Sequence, residues 1–321
     1  TVFFVGEFHD LVAVDKQTGM IRWAQDDGEN TPQSQGRDAA IAGSVVAFGD
    51  YDIYAYDRTT GVPRWAFHPT EASAPGYLGI SADDHAVYAG SPLGYLYALD
   101  AETGAARWTQ RLADSTAWIS HPIVSGGVVF ACVTHQTVPF TGAVAALDAA
   151  DGHQLWLTEF PPIDPAKEAG CYDRVTTTSD YVVATSDDGR IFAMDHASGQ
   201  ILWTGVANGN PAEVTAADTV VYVSSPVGTV TALHINSGAE MWQGHTDYGS
   251  IVFPVAADSR FVYAVLVGAQ LFAFDARTGA VAWSDATSDA GGEYRYTPAV
   301  DVDRIYIGGV HGLYALRTSA P

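Results

Sequence analysis

The chain has 321 residues, of which 47% are hydrophobic and 12% aromatic, which is enough apolar material for a sizeable core. It carries 37 acidic and 15 basic residues, for a formal net charge of −22, so it lacks the basic surface that nucleic acids and anionic lipids require. No run of about 18 apolar residues occurs, and the sequence therefore predicts no membrane-spanning helix.

The first residues, TVFFVG, are typical of a strand that is already under way at residue 1. Neither an initiator Met nor a signal peptide precedes them. We therefore expect a signal or an anchor upstream of residue 1, and an extracytoplasmic location: secreted, periplasmic or at the cell surface.

A motif that ends in tryptophan then recurs along the chain. Its seven complete copies are VAVDKQTGMIRW, IYAYDRTTGVPRW, LYALDAETGAARW, VAALDAADGHQLW, IFAMDHASGQILW, VTALHINSGAEMW and LFAFDARTGAVAW. They close at Trp23, Trp65, Trp108, Trp156, Trp203, Trp242 and Trp283, and an unfinished eighth copy, LYALR, ends at Arg317. Repeats of about 40 residues built from short strands indicate a propeller or an array.

The third copy shows how one repeat is expected to fold. AVYAGS, LYALD and AARWTQR alternate as strands do, and the tight turn AETG joins the last two. A looser segment, AWISHPIV, supplies one strand before the fourth copy. With the looser strand innermost, each repeat makes a four-stranded antiparallel meander. We expect each tryptophan to lie on the outer strand and to pack structurally against the neighbouring repeat.

The pattern AxDxxTGxxxW resembles the tryptophan-docking motif of the pyrroloquinoline-quinone (PQQ)-like propeller repeat family, over nearly the whole chain. The resemblance implies an all-β fold, an eight-bladed β-propeller of four-stranded antiparallel blades, which fills residues 1–321 as a single domain. Eight successive hairpins agree with that number of blades. Seven blades with one irregular blade is the alternative. The first and last blades are expected to be incomplete, or to close the ring by an unusual exchange of strands.

The resemblance does not extend to the quinone enzymes of the family. They carry two adjacent cysteines over the cofactor, and this chain has no Cys-Cys pair. No single loop supplies the Glu, Asn and Asp that would hold the calcium ion of such a site. We therefore expect no cofactor, and a protein that is not a PQQ-dependent dehydrogenase. Similar chains include a lipoprotein scaffold of outer-membrane-barrel assembly and the extracellular sensor domains of some bacterial receptor kinases.

In a propeller of this kind, the starts of the inner strands line the mouth of the central channel. The residues expected there, as a ligand site, are Arg37, Asp38, Tyr77, Trp118, His121, Tyr172, Asp173, Arg174, Asn210, Glu213, Tyr248, Arg295 and Tyr296. Polar, aromatic and oppositely charged groups that converge on one axis are typical of a functional site. The alternative is that the arginines and carboxylates pair with one another and plug the channel.

Loop lengths single out the fourth and fifth blades. Trp108 to Trp156 spans 48 residues and Trp156 to Trp203 spans 47, whereas the other intervals span 39 to 43. Long loops on a rigid scaffold are where binding residues gather. The only cysteines, Cys132 and Cys171, fall at the same end of these two blades. Their count leaves open whether they form a disulfide; if they do, it favours an extracytoplasmic location.

Two functions remain open. The first is a non-catalytic scaffold or sensor, expected to be a monomer. It would bind a protein, peptide or small ligand near blades 4 and 5 through its top face, the face on which the inner strands begin and line the channel mouth. The second is a lyase, cyclase or hydrolase that uses His121 with Asp173, Arg174 or Glu293 at the channel mouth, since a histidine pKa can sit near neutrality. The histidine spacing is not that of a metal site, so no metal is expected.

Overall fold

The structure is a computed structural model. It describes residues 1–5, 10–26, 39–49, 51–69, 79–113, 117–138, 140–161, 169–172, 174–207, 213–246, 251, 254–266, 270–286, 297–309 and 312–318. Its contacts divide the chain into two compact units, Thr1–Val175 and Thr176–Pro321, which are described separately. The described residues form eight antiparallel sheets, called blades 1 to 8 in chain order.

The first unit contains blades 1 to 4. Blade 1 has three strands in the described residues: β1 (Val2–Val5), β2 (Asp10–Val14) and β3 (Ile21–Asp26). Blade 2 comprises β4 (Ala39–Ala42), β5 (Val45–Gly49), β6 (Ile53–Asp57) and β7 (Pro63–Phe67). Blade 3 comprises β8 (Gly79–Ala82), β9 (Ala86–Gly90), β10 (Tyr95–Asp100) and β11 (Ala106–Arg111). Blade 4 comprises β12 (Ala117–Ile119), β13 (Ile123–Ser125), β14 (Val128–His135), β15 (Thr141–Asp148) and β16 (Gln154–Glu159).

The second unit contains blades 5 to 8. Blade 5 comprises β17 (Thr176–Thr177), β18 (Tyr181–Thr185), β19 (Arg190–Asp195) and β20 (Ile201–Val206). Blade 6 comprises β21 (Glu213–Ala217), β22 (Val220–Ser225), β23 (Thr229–His234) and β24 (Glu240–His245). Blade 7 comprises β25 (Ala256–Ala257), β26 (Phe261–Leu266), β27 (Gln270–Asp275) and β28 (Val281–Ala286). Blade 8 has three described strands: β29 (Ala299–Val300), β30 (Arg304–Gly309) and β31 (Gly312–Arg317).

Sequential hairpins build every blade, and all eight hairpins expected from the repeat are present. In the seven blades that carry a motif tryptophan, the tryptophan pairs across the strands with the alanine of the same repeat, as Trp108 does with Ala98. A β-bulge follows each pairing. The small alanine leaves space beside the indole, and the bulge increases the local twist of the outer strand.

Each motif turn is held by its own side chains. In the third copy, Asp100 accepts hydrogen bonds from the Thr103 hydroxyl at 2.8 Å and the Thr103 N–H at 3.0 Å. Asp275 and Thr278 repeat the arrangement in blade 7. Because these donors stabilise the ionised carboxylates, they lower the pKa of Asp100 and of Asp275 below its usual value.

Within each unit, outer tryptophans join one blade to the next. Trp65 donates its indole N–H to the Ala101 carbonyl at 2.8 Å, and its ring lies directly against Gly104, whose φ is +70°. Similar indole bonds are made by other copies, namely Trp108 to Ala149, Trp203 to Ile235 and Trp242 to Ala276, at 2.7 to 3.0 Å. A glycine here accepts the left-handed backbone of the turn and leaves room for the incoming ring.

The core lies in layers between neighbouring blades. In the first unit, Tyr88, Leu96 and Val129 are buried in one such layer between blades 3 and 4. In the second unit, Tyr222 and Phe274 are buried in the layer between blades 6 and 7. The described residues include no helix long and apolar enough to cross a membrane.

Candidate functional site

A cavity of about 350 Å³ lies in the first unit, at the first strands of blades 2 to 4 and the segment that follows blade 4. Its lining residues are Ala39, Ala40, Ile41, Ile80, Ser81, Ala82, His121, Pro122, Ile123, Arg174 and Val175. Two of the residues predicted to bind a ligand, His121 and Arg174, therefore line one cavity.

The wall that carries His121 exists because the first strand of blade 4 is broken. The sequence predicts one strand over AWISHPIV, and this is wrong, since β12 and β13 are separate strands that both pair with β14. Pro122 has no N–H with which to continue a ladder, so pairing stops at the break. His121 consequently lies in a short irregular segment beside the cavity, where no ladder fixes its backbone.

Two glycines of blade 3 let this segment approach closely. Gly79 and Gly90 are cross-strand partners in β8 and β9. A Cβ atom on Gly79 would lie 2.5 Å from His121 Cδ2, and one on Gly90 would lie 2.5 Å from the Ser120 carbonyl oxygen. Neither glycine has a left-handed φ, so the requirement here is space. The Ile119 N–H also bonds to the Ser91 carbonyl of blade 3 at 2.9 Å.

A disulfide holds the segment that leads to Arg174. Cys132 of β14 is bonded to Cys171, and the Cα atoms of the pair are 5.4 Å apart. The Thr134 hydroxyl donates to the Cys171 carbonyl at 2.9 Å, and the Ala169 N–H donates to the Phe140 carbonyl at 2.8 Å. These contacts hold residues 169–172 against β14 and β15, and so hold the chain three residues before Arg174.

Gly142 of β15 is a further requirement for this close packing. A Cβ atom on it would meet the backbone of Cys171, Ala169 and Gly170 at distances shorter than van der Waals contact. Residues 169–171 thus lie directly on the strand. An absent side chain is what permits the disulfide-linked segment to sit there.

Ser81 is a member of the site that the sequence did not reveal. It lines the cavity, and its Oγ is buried and has no hydrogen-bond partner among the described residues. Buried hydroxyls are almost always paired, so an unpaired one at a cavity wall is a functional signal. In the sequence, Ser81 occupies an ordinary polar position of an alternating strand, which gives no indication of this.

The remaining predicted residues are dispersed. Trp118 is 41% exposed on β12, and Tyr172 is half-buried next to the disulfide. Glu213 is buried in the second unit at the start of β21, where it pairs with Ser224 in the ladder. The others lie outside the described residues: Arg37, Asp38, Tyr77, Asp173, Asn210, Tyr248, Glu293, Arg295 and Tyr296.

The catalytic alternative depends on residues that the structure does not describe. It requires a carboxylate near His121, and the lining residues that the structure describes contain neither Asp nor Glu. Both candidates, Asp173 and Glu293, are outside the described residues, so a catalytic His121 stays a prediction. Within the described residues, no group of three or more His, Cys, Asp or Glu side chains is placed to hold a metal ion.

Sequence comparisons place the repeat in a known group. A family model described as "Outer membrane protein assembly factor BamB" matches residues 1–82, 49–159 and 140–320. The chain is 27% identical to the outer membrane protein assembly factor BamB of Yersinia pestis over 254 residues, which are 73% of this chain and 61% of that protein. It is also 25% identical to the tetrathionate hydrolase of Acidithiobacillus ferrooxidans over 288 residues, 75% of this chain and 56% of that protein.

The fold has a counterpart among solved structures. The crystal structure of BamB from Moraxella catarrhalis superimposes with a TM-score of 0.75 and 17% identity, covering 98% of this chain and 92% of that chain. The prediction of an all-β, eight-bladed propeller is confirmed by this likeness and by the eight sheets, and the seven-bladed alternative is wrong. The matched region spans about three fifths of the length of the BamB proteins of Yersinia pestis and Moranella endobia.

Proposed function

The chain belongs to the BamB family of PQQ-like β-propeller repeat proteins, and we propose that it is a non-catalytic scaffold that binds other proteins during outer-membrane protein assembly. The relatives from Yersinia pestis and Moranella endobia are named assembly factors for outer membrane proteins. Since those proteins are longer than this chain, the shared region supports the role, and the partner and the surface it uses are part of the proposal.

The observation that carries the proposal is an exposed tryptophan on blade 4. Trp118 is 41% exposed, whereas Trp108 and Trp156 of the neighbouring outer strands are each 8% exposed. Exposed tryptophans are enriched among the residues that dominate protein interfaces. We assign Trp118 to the centre of the protein-binding surface, at the end of blade 4 where β12 begins.

The hairpin of blade 4 extends this surface. β14 and β15 have eight residues each, two more than any other strand of the chain's described part. Val138, in the loop that joins them, is 82% exposed. An apolar side chain so fully in water on a lengthened hairpin, at the same end of the blade as Trp118, supports an interface that covers both.

The disulfide supports an extracytoplasmic site of action. Disulfides persist in oxidising compartments such as the periplasm and are rare in the cytosol. Cys132 is 1% exposed and Cys171 is 5% exposed, so the bond belongs to the folded interior and is not a transient surface bridge. A periplasmic propeller would meet unfolded or assembling outer-membrane proteins directly.

Photo-crosslinking in the native cells tests the proposal. A photoreactive phenylalanine derivative would replace Trp118 in one variant and Val302, which is 94% exposed in blade 8, in a matched control. We expect position 118, and not position 302, to crosslink to a component of the outer-membrane assembly machinery identified by mass spectrometry. Equal crosslinking at both positions, or products unrelated to that machinery, would contradict the assignment.

A further inference from the structure

We propose that the cavity between blades 2, 3 and 4 binds a small organic carboxylate that has an apolar body. The proposal concerns a site separate from the protein-binding surface around Trp118, and it does not depend on the role in outer-membrane assembly. It rests on the size of the cavity, on its apolar and polar walls, and on how rigidly those walls are held.

The size and the apolar walls define the body of the ligand. A cavity of about 350 Å³ lies at the lower end of the range for small-molecule sites, roughly 300–1,000 Å³. Ile80, Pro122, Ile123 and Val175 contribute hydrocarbon to the lining, together with several alanines. Water forms no hydrogen bonds with such hydrocarbon walls, whereas a compact aliphatic or aromatic group would bury its apolar surface against them.

The polar groups define the other end of the ligand. Arg174 presents a planar guanidinium group whose paired N–H donors match the geometry of a carboxylate. His121 adds an imidazole, and Ser81 adds a hydroxyl that is buried without a partner among the described residues. One carboxylate oxygen would accept a hydrogen bond from that hydroxyl.

The charge of the lining contrasts with that of the chain. The protein carries a net charge of −22, yet the described lining residues include an arginine and a histidine and no acidic side chain. A net charge of this sign repels anions in general, so an anion would depend on specific donors at its site. A guanidinium group at the wall of a partly apolar cavity favours binding of an anion over its neutral analogue.

Both polar walls are held in place before any ligand arrives. The disulfide between Cys132 and Cys171 holds the segment that leads to Arg174. The imidazole of His121 lies against Gly79, where any side chain would displace it. Sites whose groups are already ordered bind more tightly because less conformational entropy is lost on binding.

The experiment is a calorimetric titration of the purified protein with 4-phenylbutyrate, with its neutral analogue 4-phenylbutyramide and with inorganic phosphate. We expect the carboxylate to bind with a Kd below about 1 mM, and the amide to bind at least about tenfold more weakly, because it lacks the charge that Arg174 recognises. Phosphate is expected to bind more weakly than the carboxylate, since it leaves the apolar walls uncovered.

Variants locate the site. Arg174→Gln should weaken binding of 4-phenylbutyrate at least about tenfold. Arg174→Lys keeps the positive charge and loses the paired N–H donors, so its affinity should lie between those of the unaltered protein and Arg174→Gln. Arg107→Gln is the matched control, because it removes the same charge from an exposed position on β11. The thermal midpoint of each variant checks that it is folded, and the imidazole NMR signals of His121 should shift on titration.

Several results would overturn the proposal. These are equal affinity for the carboxylate and the amide, an unchanged affinity in Arg174→Gln, an equal loss in Arg107→Gln, or no binding of 4-phenylbutyrate. If Arg174→Gln does not fold, the His121 signals of the unaltered protein decide. Half-maximal shift at a carboxylate concentration at least about tenfold lower than for the amide supports the site, and any other pattern refutes it.

Discussion

The last strands of blades 1 to 7 follow a repeated pattern, whereas the first strands differ from blade to blade. The last strands repeat one pairing, of a tryptophan with an alanine. In five blades the tryptophan also donates its N–H to the next blade and covers a turn glycine, as Trp65 does at Gly104. The first strands share no such rule. In blade 4 the first strand is broken at Pro122, and in blade 3 it begins with a glycine that accommodates a histidine. The repeated residues are therefore the ones that hold neighbouring blades together. The residues that differ between repeats give individual blades their special features, such as the cavity wall at His121.

The largest test of this contrast exchanges a docked tryptophan for alanine. Trp108→Ala removes a ring that is 8% exposed and whose N–H bonds to the Ala149 carbonyl at 3.0 Å. We expect it to lower the free energy of unfolding by about 3–5 kcal/mol, measured by urea denaturation. Trp118→Ala is the control, with an expected loss below about 1 kcal/mol because that ring is already partly in water. Similar losses in the two variants would contradict the division of roles.

The second test removes the disulfide that joins β14 to the segment before Arg174. The double variant Cys132→Ala, Cys171→Ala opens a loop with a sequence separation of 39 residues. We expect the free energy of unfolding to fall by about 2–4 kcal/mol, because the unfolded chain regains conformational freedom. The unaltered protein under a thiol reductant should lose a similar amount. A reductant that leaves its urea midpoint unchanged would show that the bond contributes nothing to stability.

The third test separates two reasons for a turn glycine. Gly104 and Gly19 have φ values of +70° and +72°, but a Cβ on Gly104 would strike the Trp65 ring, whereas nothing lies within 4 Å of one on Gly19. Gly19→Ala should therefore cost about 1–2 kcal/mol for the backbone alone. Gly104→Ala should cost about 1–3 kcal/mol more, since the ring must move. Equal urea midpoints for the two variants would mean that the ring has room to shift.

The smallest expected effect is a pH dependence at the motif turns. The folded-state pKa values of Asp100 and Asp275 lie below the usual value of 3.8, mainly because Thr103 and Thr278 donate to them. Their contribution to stability is therefore present above about pH 4 and is lost as the pH falls through the folded pKa. The double variant Asp100→Asn, Asp275→Asn should show a shallower fall of the urea midpoint below pH 4 than the unaltered protein. A fall of the same slope would show that these turns do not contribute.

The sequence predicts the repeated part of the fold well because its determinants are local. A turn glycine, an aspartate that caps the turn and alternating apolar residues fix each hairpin within about fifteen residues, as in LYALDAETGAARW. Counting strands in such a regular array brought His121 and Arg174 into one predicted group, and both line one cavity. That they bind a ligand stays a prediction.

The specialised part was harder to predict because it depends on contacts between blades. The fit of His121 against Gly79 and that of Ser120 against Gly90 bring together residues that are 42 and 30 positions apart in the chain. Ser81 stands out only in the structure, because its hydroxyl has no hydrogen-bond partner among the described residues. Pro122 was a usable signal, since a proline in a strand pattern indicates an interruption, and it could have predicted the break in blade 4.

The sequence distance between each indole and its acceptor has a consequence for folding during synthesis. The indole of Trp65 bonds to a carbonyl 36 residues further along, and those of Trp108 and Trp203 to carbonyls 41 and 32 residues further along. A chain that emerges from its N-terminus first therefore exposes each indole until about another blade has followed. We expect nascent chains halted just after Trp108 to be cleaved by protease near that residue, and chains halted beyond Trp156 to be protected there. In the blades where such a bond is present, the next blade therefore completes the burial of the indole, and the growing end of the chain carries an indole that is not yet covered.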